Sequence, residues 1–276
     1  MASSERPTWA PASIDLDQPN VARVYDYLLG GAANFAPDRE FAEQLLTMMP
    51  EARPAARLNR AFLRRAVQFC VEAGIRQFLD IGSGIPTAGN VHEIAQRIDP
   101  GCRVVYVDTE PVAVTHSELM LQDNDRAAAL RADLLDVDTI MDAEPVRRLI
   151  DLDQPVALLL VSMLHFIPDK AGPYEAVARY VDRLAPGSYL VISHGVVAED
   201  AQTNQRVEEL YRERDYADAV GRRISEVERF FAGTELIEPG LVRAPEWFPE
   251  SPDDVPADVR DRPETALIAV GVGRKP

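Results

Sequence analysis

Phe78-Leu79-Asp80-Ile81-Gly82-Ser83-Gly84-Ile85-Pro86-Thr87-Ala88-Gly89-Asn90 is the stretch whose reading decides the fold. A short apolar run carrying one acid ends in two glycines set two apart. Beyond them Val91, Ile94, Ala95 and Ile98 fall at helical spacing, so a helix follows the turn. Strand, glycine turn and helix in that order build a pocket for a nucleotide-like ligand. Glycine lets the backbone come close to the ligand, and the helix N-terminus presents unpaired N–H groups.

Two common phosphate-binding patterns are absent. Gly82-Ser83-Gly84 is followed by Ile85, Pro86 and Thr87, so there is no third glycine, and no Gly-Lys-Ser/Thr occurs in the turn. Asp80, two residues before the first glycine, would repel a pyrophosphate and pair with an ammonium group. S-adenosylmethionine carries such an ammonium on its amino-acid end. Alone, the turn reads equally well as a tight structural turn; the other strand ends discriminate.

Upstream, residues 1–18 are rich in Pro and Ser and read as a loose lead-in. An apolar stripe of Val21, Val24, Tyr25, Leu28 and Leu29 predicts a helix from Pro19-Asn20 to the stop at Gly30-Gly31. A second helix is expected from Asp38, as N-cap, to about Met49, and a third carries Leu58, Phe62, Ala66, Phe69 and Ala73 to Gly74. Downstream the rhythm alternates. Strands are expected at Ile75–Ile81, Arg103–Asp108, Ala127–Ala132, Val156–Met163, Ser188–Ser193, near Leu236–Ile237 and at Thr265–Val272. Helices are expected near Asn90–Ile98, Pro111–Leu121, Thr139–Ile150 and Pro173–Leu184, then at Thr203–Ala217 and Ser225–Phe231. A Pro-rich acidic loop from Pro245 to Pro263 precedes the last strand, which closes a hairpin at one sheet edge. Runs such as Val156-Ala157-Leu158-Leu159-Leu160-Val161 are apolar on both faces, as in parallel strands covered by helices on both sides. The expectation is an α/β fold with a doubly wound, mostly parallel, seven-stranded sheet. Residues 1–74 form an N-terminal helical cap or lid and 75–276 the ligand-binding domain, with an insert at about 200–233, in one compact unit.

In such a sheet the ligand lies across the C-terminal strand ends. The second strand ends at Asp108, followed by Thr109, where a carboxylate binds both ribose hydroxyls of either NAD or S-adenosylmethionine. The third ends at Asp133-Leu134, where an acid accepts the adenine amino group and the next N–H meets a ring nitrogen. The fourth ends at Ser162-Met163-Leu164-His165-Phe166, beside the methionine arm. With Asp80, Gly82, Ser83 and Gly84 these positions favour S-adenosylmethionine over NAD, which has less use for acids at Asp80 and Asp133.

The segments Pro19-Asn20-Val21-Ala22-Arg23-Val24-Tyr25-Asp26-Tyr27-Leu28-Leu29-Gly30-Gly31, Asn34-Phe35, the glycine turn with Asn90-Val91-His92-Glu93, Val105-Tyr106-Val107-Asp108, Glu110-Pro111, Leu164-His165-Phe166-Ile167-Pro168 and Leu184-Ala185-Pro186-Gly187-Ser188-Tyr189-Leu190 carry a resemblance. Together they are similar to an actinobacterial S-adenosylmethionine-dependent methyltransferase-like family. One departure is Thr109-Glu110, where the family more often has Asn-Asp. The resemblance implies a class I, Rossmann-like methyltransferase fold and its cofactor, and no particular acceptor.

Methyl transfer requires alignment more than proton chemistry, and a base only for a protonated acceptor. His165 and His194, after the fourth and fifth strands, are the candidate bases; histidines bonded within the wall are the plainer reading. Arg23, Asp26, Tyr27 and Asn34 read either as a polar packing face or as a lid. In the lid reading Arg23 reaches the cofactor carboxylate and Gly30-Gly31 is the hinge. The insert arginines Arg206, Arg212, Arg214, Arg222 and Arg223 alternate with acids and read as an exposed, salt-bridged surface. Trp247-Phe248 either plug the acceptor side or pack in the core.

The 276-residue chain has 29 basic and 45 acidic residues, a net charge of −16, which disfavours a nucleic-acid or anionic-membrane partner. No Asn-Pro-Pro-Tyr sequence of the kind used to methylate bases follows the fourth strand. The histidines lack metal-ligand spacing, so no metal is expected, and Cys70 and Cys102 read as buried free thiols. Met1 to Arg6 lack an apolar signal core and Val156 to Leu164 is too short for a membrane span, so a cytoplasmic protein is expected. The composite expectation is methyl transfer from S-adenosylmethionine to a small molecule. The alternatives are a non-catalytic binder of S-adenosylmethionine or S-adenosylhomocysteine, and an NAD-dependent oxidoreductase.

Overall fold

Every residue of the strand that carries Asp80, β1 (Gln77–Ile81), is buried, because helices cover both sheet faces. The computed structural model describes residues 15–86, 89–197, 201–213, 219–248 and 266–276. Parallel pairing places β2 (Arg103–Asp108) and β4 (Ala157–Val161) on either side of β1, with Leu79 opposite both Val105 and Leu158. β3 (Ala127–Arg131) flanks β2, and β5 (Tyr189–Gly195) flanks β4. The sheet direction therefore reverses between β1 and β4, which opens a crevice at their C-terminal ends.

β8 (Ile268–Arg274) runs antiparallel to β5, and its outer edge pairs with β6 (Glu235–Leu236) and β7 (Val242–Arg243). The doubly wound, mostly parallel sheet is as expected, with eight strands in place of seven. The additional strand, β7, has two residues, too few to show an alternation in sequence.

Before β1 come α1 (Val21–Leu28), α2 (Ala36–Met48) and α3 (Ala52–Glu72). Asn20 caps α1, its side chain accepting from the Ala22 N–H at 2.8 Å. The expected cap of α2, Asp38, lies inside that helix at its third position and reaches back to the Phe35 N–H at 2.7 Å. α3 packs directly on the sheet. Leu58, Phe62, Ala66 and Cys70 share one core with Phe78, Ala157, Val191 and Val270, so this helix of the expected cap also covers one face of the sheet.

α4 (Val91–Ile98), α5 (Pro111–Met120) and α8 (Pro173–Arg183) follow β1, β2 and β4. The single helix expected over Thr139–Ile150 is two, α6 (Val137–Met141) and α7 (Glu144–Leu149). Pro145 lacks the N–H that a continuous helix needs. The insert after β5 contains α9 (Ala201–Glu213) and α10 (Ile224–Glu228), the latter continued by a turn of 3-10 helix to Phe231. α9 packs on α2 through Tyr211, whose ring meets the Phe41 ring edge-on at 5.0 Å. Residues 214–218 of the insert, and 249–263 of the expected acidic loop, lie outside the described residues. No described helix is long and apolar enough to cross a membrane.

Candidate active site

Gly82 and Gly84 both take left-handed backbone angles, φ 73° and 67°, which set the turn after β1. Gly82 answers a second demand. A Cβ there would lie 2.7 Å from the Met163 Cβ, so the β4 loop can close over the turn only if this residue is glycine. At Gly84 a Cβ would meet nothing within 4 Å, so its outer side is open to the crevice. Ser162 makes the matching turn on the β4 side. Its φ is 58°, uncommon for a residue other than glycine, and its N–H still bonds the Ser193 carbonyl at 3.0 Å.

These turns border a cavity of about 400 Å³ over the strand ends, within the usual range for small-molecule sites. Asp80, Gly82, Ser83, Gly84, Asp108, Thr109, Asp133, Leu134, Ser162 and His165 all line it, so nearly all the strand-end expectations meet in one place.

Asp80 is 5 % exposed, and among the described residues no hydrogen bond reaches its carboxylate. Burial pushes its pKa up to about 7, with Arg60 nearby pulling it down and Asp108 pushing it further up. A buried carboxylate without a donor is stabilised by a cation, and the ammonium of a bound amino-acid group would supply one. Asp108 is better supported. One oxygen accepts from the Gly84 N–H at 2.7 Å and the other from the Glu110 N–H at 2.9 Å. Burial still raises its pKa against those two bonds and one from Thr109. The Gly84 bond ties the glycine turn to the β2 end, and each oxygen keeps lone-pair capacity for a diol. Asp133 is exposed and accepts from the Leu135 N–H at 2.9 Å, while Tyr180 on α8 holds the neighbouring Leu134 carbonyl at 2.8 Å.

His194 does not line the cavity; it is fully buried. Its Nδ1 lies 2.5 Å from the Gly195 carbonyl and its Nε2 lies 2.9 Å from Arg222 Nη1. A guanidinium only donates, so Nε2 must accept and Nδ1 carries the proton. Its lone pair is occupied, and burial lowers its pKa to about 3, so the expected general-base role for His194 fails on geometry. His165 does line the cavity. Its Nδ1 accepts from the Gly195 N–H at 3.3 Å, which leaves the proton of the neutral ring on Nε2. Burial, then the neighbouring His194 and Arg222, holds its pKa well below the ordinary value. The ring offers a hydrogen-bond donor in place of a ready base.

Arg222 was expected on an exposed surface and is 2 % exposed. It donates to Asp169 at 2.6 Å and to the Leu164 and Ile167 carbonyls at 2.9 and 2.8 Å, so it braces the loop that carries His165. The Phe230 and Tyr174 rings lie 5.3 and 5.6 Å from its guanidinium carbon. Its neighbour Arg223 follows the expected pattern, exposed and paired with Glu226.

The four N-terminal candidates stand outside the cavity lining. Arg23 is buried against Asp38 at 3.1 Å and Glu110 at 3.7 Å, and donates to the Asp15 and Gln18 carbonyls. With its guanidinium so engaged it does not reach the cavity. Asp26 accepts from the Ala33 N–H and the Asn34 side chain, which pins the turn after Gly30-Gly31. A Cβ on Gly31 would fall 2.0 Å from the Asp26 carboxylate, so that glycine permits a tight contact. Tyr27 donates to Glu43 at the surface. Among the described lining residues the one Lys or Arg is Arg60 of α3, which donates to the Gly89 carbonyl at 2.8 Å. No strand-end pattern marks Arg60, because it reaches the site from a helix that precedes the sheet. Trp247 is fully buried, with Phe62 and Phe69 edge-on to it at 5.2 and 5.9 Å, so it packs in the core.

Comparison with known proteins agrees with this architecture. A candidate methyltransferase from Thermobifida fusca YX is 40 % identical, with a TM-score of 0.89 over 98 % of this chain and 99 % of that one. A DUF574 family protein from Streptomyces avermitilis MA-4680 is 38 % identical, with a TM-score of 0.89 over 95 % and 99 %. A search of curated proteins finds no significant match. The profile of the S-adenosyl methyltransferase family matches residues 7–276. By that match and by those relatives, the chain belongs to the S-adenosyl methyltransferase family, with a class I fold and S-adenosylmethionine as cofactor.

Proposed function

We propose that the protein transfers the methyl group of S-adenosylmethionine to a small-molecule acceptor held beside Ser162 and His165. The observation that carries the reading is Asp80, a buried carboxylate without a hydrogen-bond donor among the described residues, in one cavity with Asp108 and Asp133. In this assignment Asp80 receives the ammonium of the amino-acid end and Arg60 its carboxylate. Asp108, with Thr109 beside it, takes the ribose hydroxyls, and Asp133 with the Leu134 N–H takes the adenine edge. Gly82, Ser83 and Gly84 let the backbone approach, and Ser162 borders the methionine arm.

Bound S-adenosylmethionine would supply a sulfonium methyl, its S–C bonding pair staying with sulfur as an acceptor lone pair takes the carbon, and any acceptor proton would be lost to bulk solvent when the products leave. The chain's own work is to bind, orient and exclude solvent. His165 contributes a donated hydrogen bond through Nε2 rather than proton abstraction, because its lone pair faces the Gly195 N–H.

Calorimetric titration with S-adenosylhomocysteine and, separately, NAD tests the cofactor site. Binding of S-adenosylhomocysteine is expected; binding of NAD alone would overturn the reading. Asp108→Ala should weaken S-adenosylhomocysteine by about tenfold or more, with an unchanged circular dichroism spectrum. Unchanged affinity would remove Asp108 from the ribose site. A screen of small-molecule acceptors with labelled methyl donor then identifies the acceptor.

A further inference from the structure

The cavity has two unlike ends. The strand-end side carries Asp80, Asp108 and Asp133 with Arg60, the one Lys or Arg among its described lining residues. The other side is built by helices: Leu28 of α1, Leu45 of α2, Val207 and Tyr211 of α9, with Met49 and Phe166 from the adjoining segments. The polar groups of Tyr25 and Asn59 on that side are already engaged. The Tyr25 hydroxyl donates to the Ala56 carbonyl at 3.2 Å and accepts from Asn59 at 2.7 Å, and Asn59 in turn accepts from Ser193 at 2.5 Å. Tyr25 therefore presents its ring. Tyr211 is held by Phe41 and lies 5.8 Å from the Phe166 ring, which makes a fixed aromatic wall. The charge on this side is negative: Glu208 of α9 lines the cavity too.

From this arrangement we infer that the methyl acceptor is a predominantly apolar molecule without negative charge, seated in the chamber between α1, α2, α3 and α9. This rests on the methyl-transfer reading. An anionic acceptor would lose its hydration without gaining a counterion among the described lining residues, because Arg60 serves the Asp80 end, and an unpaired buried charge costs several kcal/mol. A neutral ring or chain gains from the same transfer, at about 25 cal/mol for each Å² of apolar surface removed from water. His165, held neutral, supplies a polar contact without adding charge. The helices that precede β1 and follow β5 thus choose the acceptor, while the strand ends hold the cofactor.

Fluorescence titration of the full-length protein, saturated with S-adenosylhomocysteine, tests the inference with two probes sharing one ring system. 1-Aminoanthracene, neutral at pH 7.5, should bind about tenfold or more tighter than anthracene-1-carboxylate. Equal or tighter binding of the carboxylate would overturn the inference. Val207→Arg and Val207→Trp, on a half-buried position, should each weaken 1-aminoanthracene by about tenfold while S-adenosylhomocysteine affinity holds. If either variant keeps both its fold and full 1-aminoanthracene affinity, the probe sits elsewhere and the inference fails. Failure of the wild-type protein to bind S-adenosylhomocysteine would instead overturn the methyl-transfer reading on which it rests.

Discussion

Asp80 has a raised proton affinity and no hydrogen-bond donor among the described residues, and a ligand ammonium would remedy both. Its ionised form is the binding form, so affinity should rise with pH until the group is fully ionised. With a pKa of about 7 in the free protein, S-adenosylhomocysteine should bind about tenfold more weakly at pH 6 than at pH 8. Calorimetry across that range checks it, and Asp80→Asn should flatten the profile. The same group bears on stability. Its folded pKa lies above its unfolded value of about 4, so its favourable contribution is complete at acid pH and is lost as pH rises toward 7. Asp80→Asn should therefore raise the unfolding temperature of the ligand-free protein at pH 8, with no gain near pH 4. His194 and Arg222 show the opposite outcome for titratable groups. Each is buried with its partners satisfied, which leaves a brace in place of a reactive pair.

At the scale of elements, the start of α1 is a tie between three parts of the chain. Asp38 of α2 accepts from the Asn20 N–H at 2.8 Å and from Arg23, while Glu110, before α5, accepts from Asn20 at 2.6 Å. Burial raises the pKa of both acids, against the pull of Arg23. Asp38→Ala would leave Arg23 with Glu110 as its remaining carboxylate partner among the described residues and remove the bond across the first turn of α2. A loss on the order of 3 kcal/mol is expected in denaturant unfolding, with faster hydrogen exchange in α1 than in α3. This tie gives Asn20 and Arg23 a structural task in holding α1 to α2 and to the start of α5. It also keeps Val21, Val24 and Leu28 in the cavity wall, so α1 meets the cavity through its apolar face.

At the scale of the molecule, one core runs from α3 through the sheet to the segment before β8. Trp247 is its largest fully buried side chain, and Arg65 of α3 bonds the Trp247 and Ala244 carbonyls at 2.9 and 3.1 Å. Trp247→Ala should cost about 3–5 kcal/mol in denaturant unfolding. Since Trp247 does not line the cavity, S-adenosylhomocysteine affinity should be retained while the variant stays folded.

Sequence alone determined the sheet, the glycine turn and the acids at its strand ends. Apolar runs bounded by turns report strands, and parallel winding obliges their C-terminal ends to lie side by side, so Asp80, Asp108 and Asp133 could be grouped before any contact was known. The two-residue β7 and the break between α6 and α7 were beyond that pattern. Which arginine lines the cavity was settled only by packing. Arg23, Arg60 and Arg222 all lie in helical or polar segments, and periodicity does not say which is buried in a tie, which lines the cavity and which braces a loop. The helical side of the cavity is likewise tertiary: its walls come from helices before β1 and after β5, and their apolar faces read as ordinary core until the fold sets them around one space.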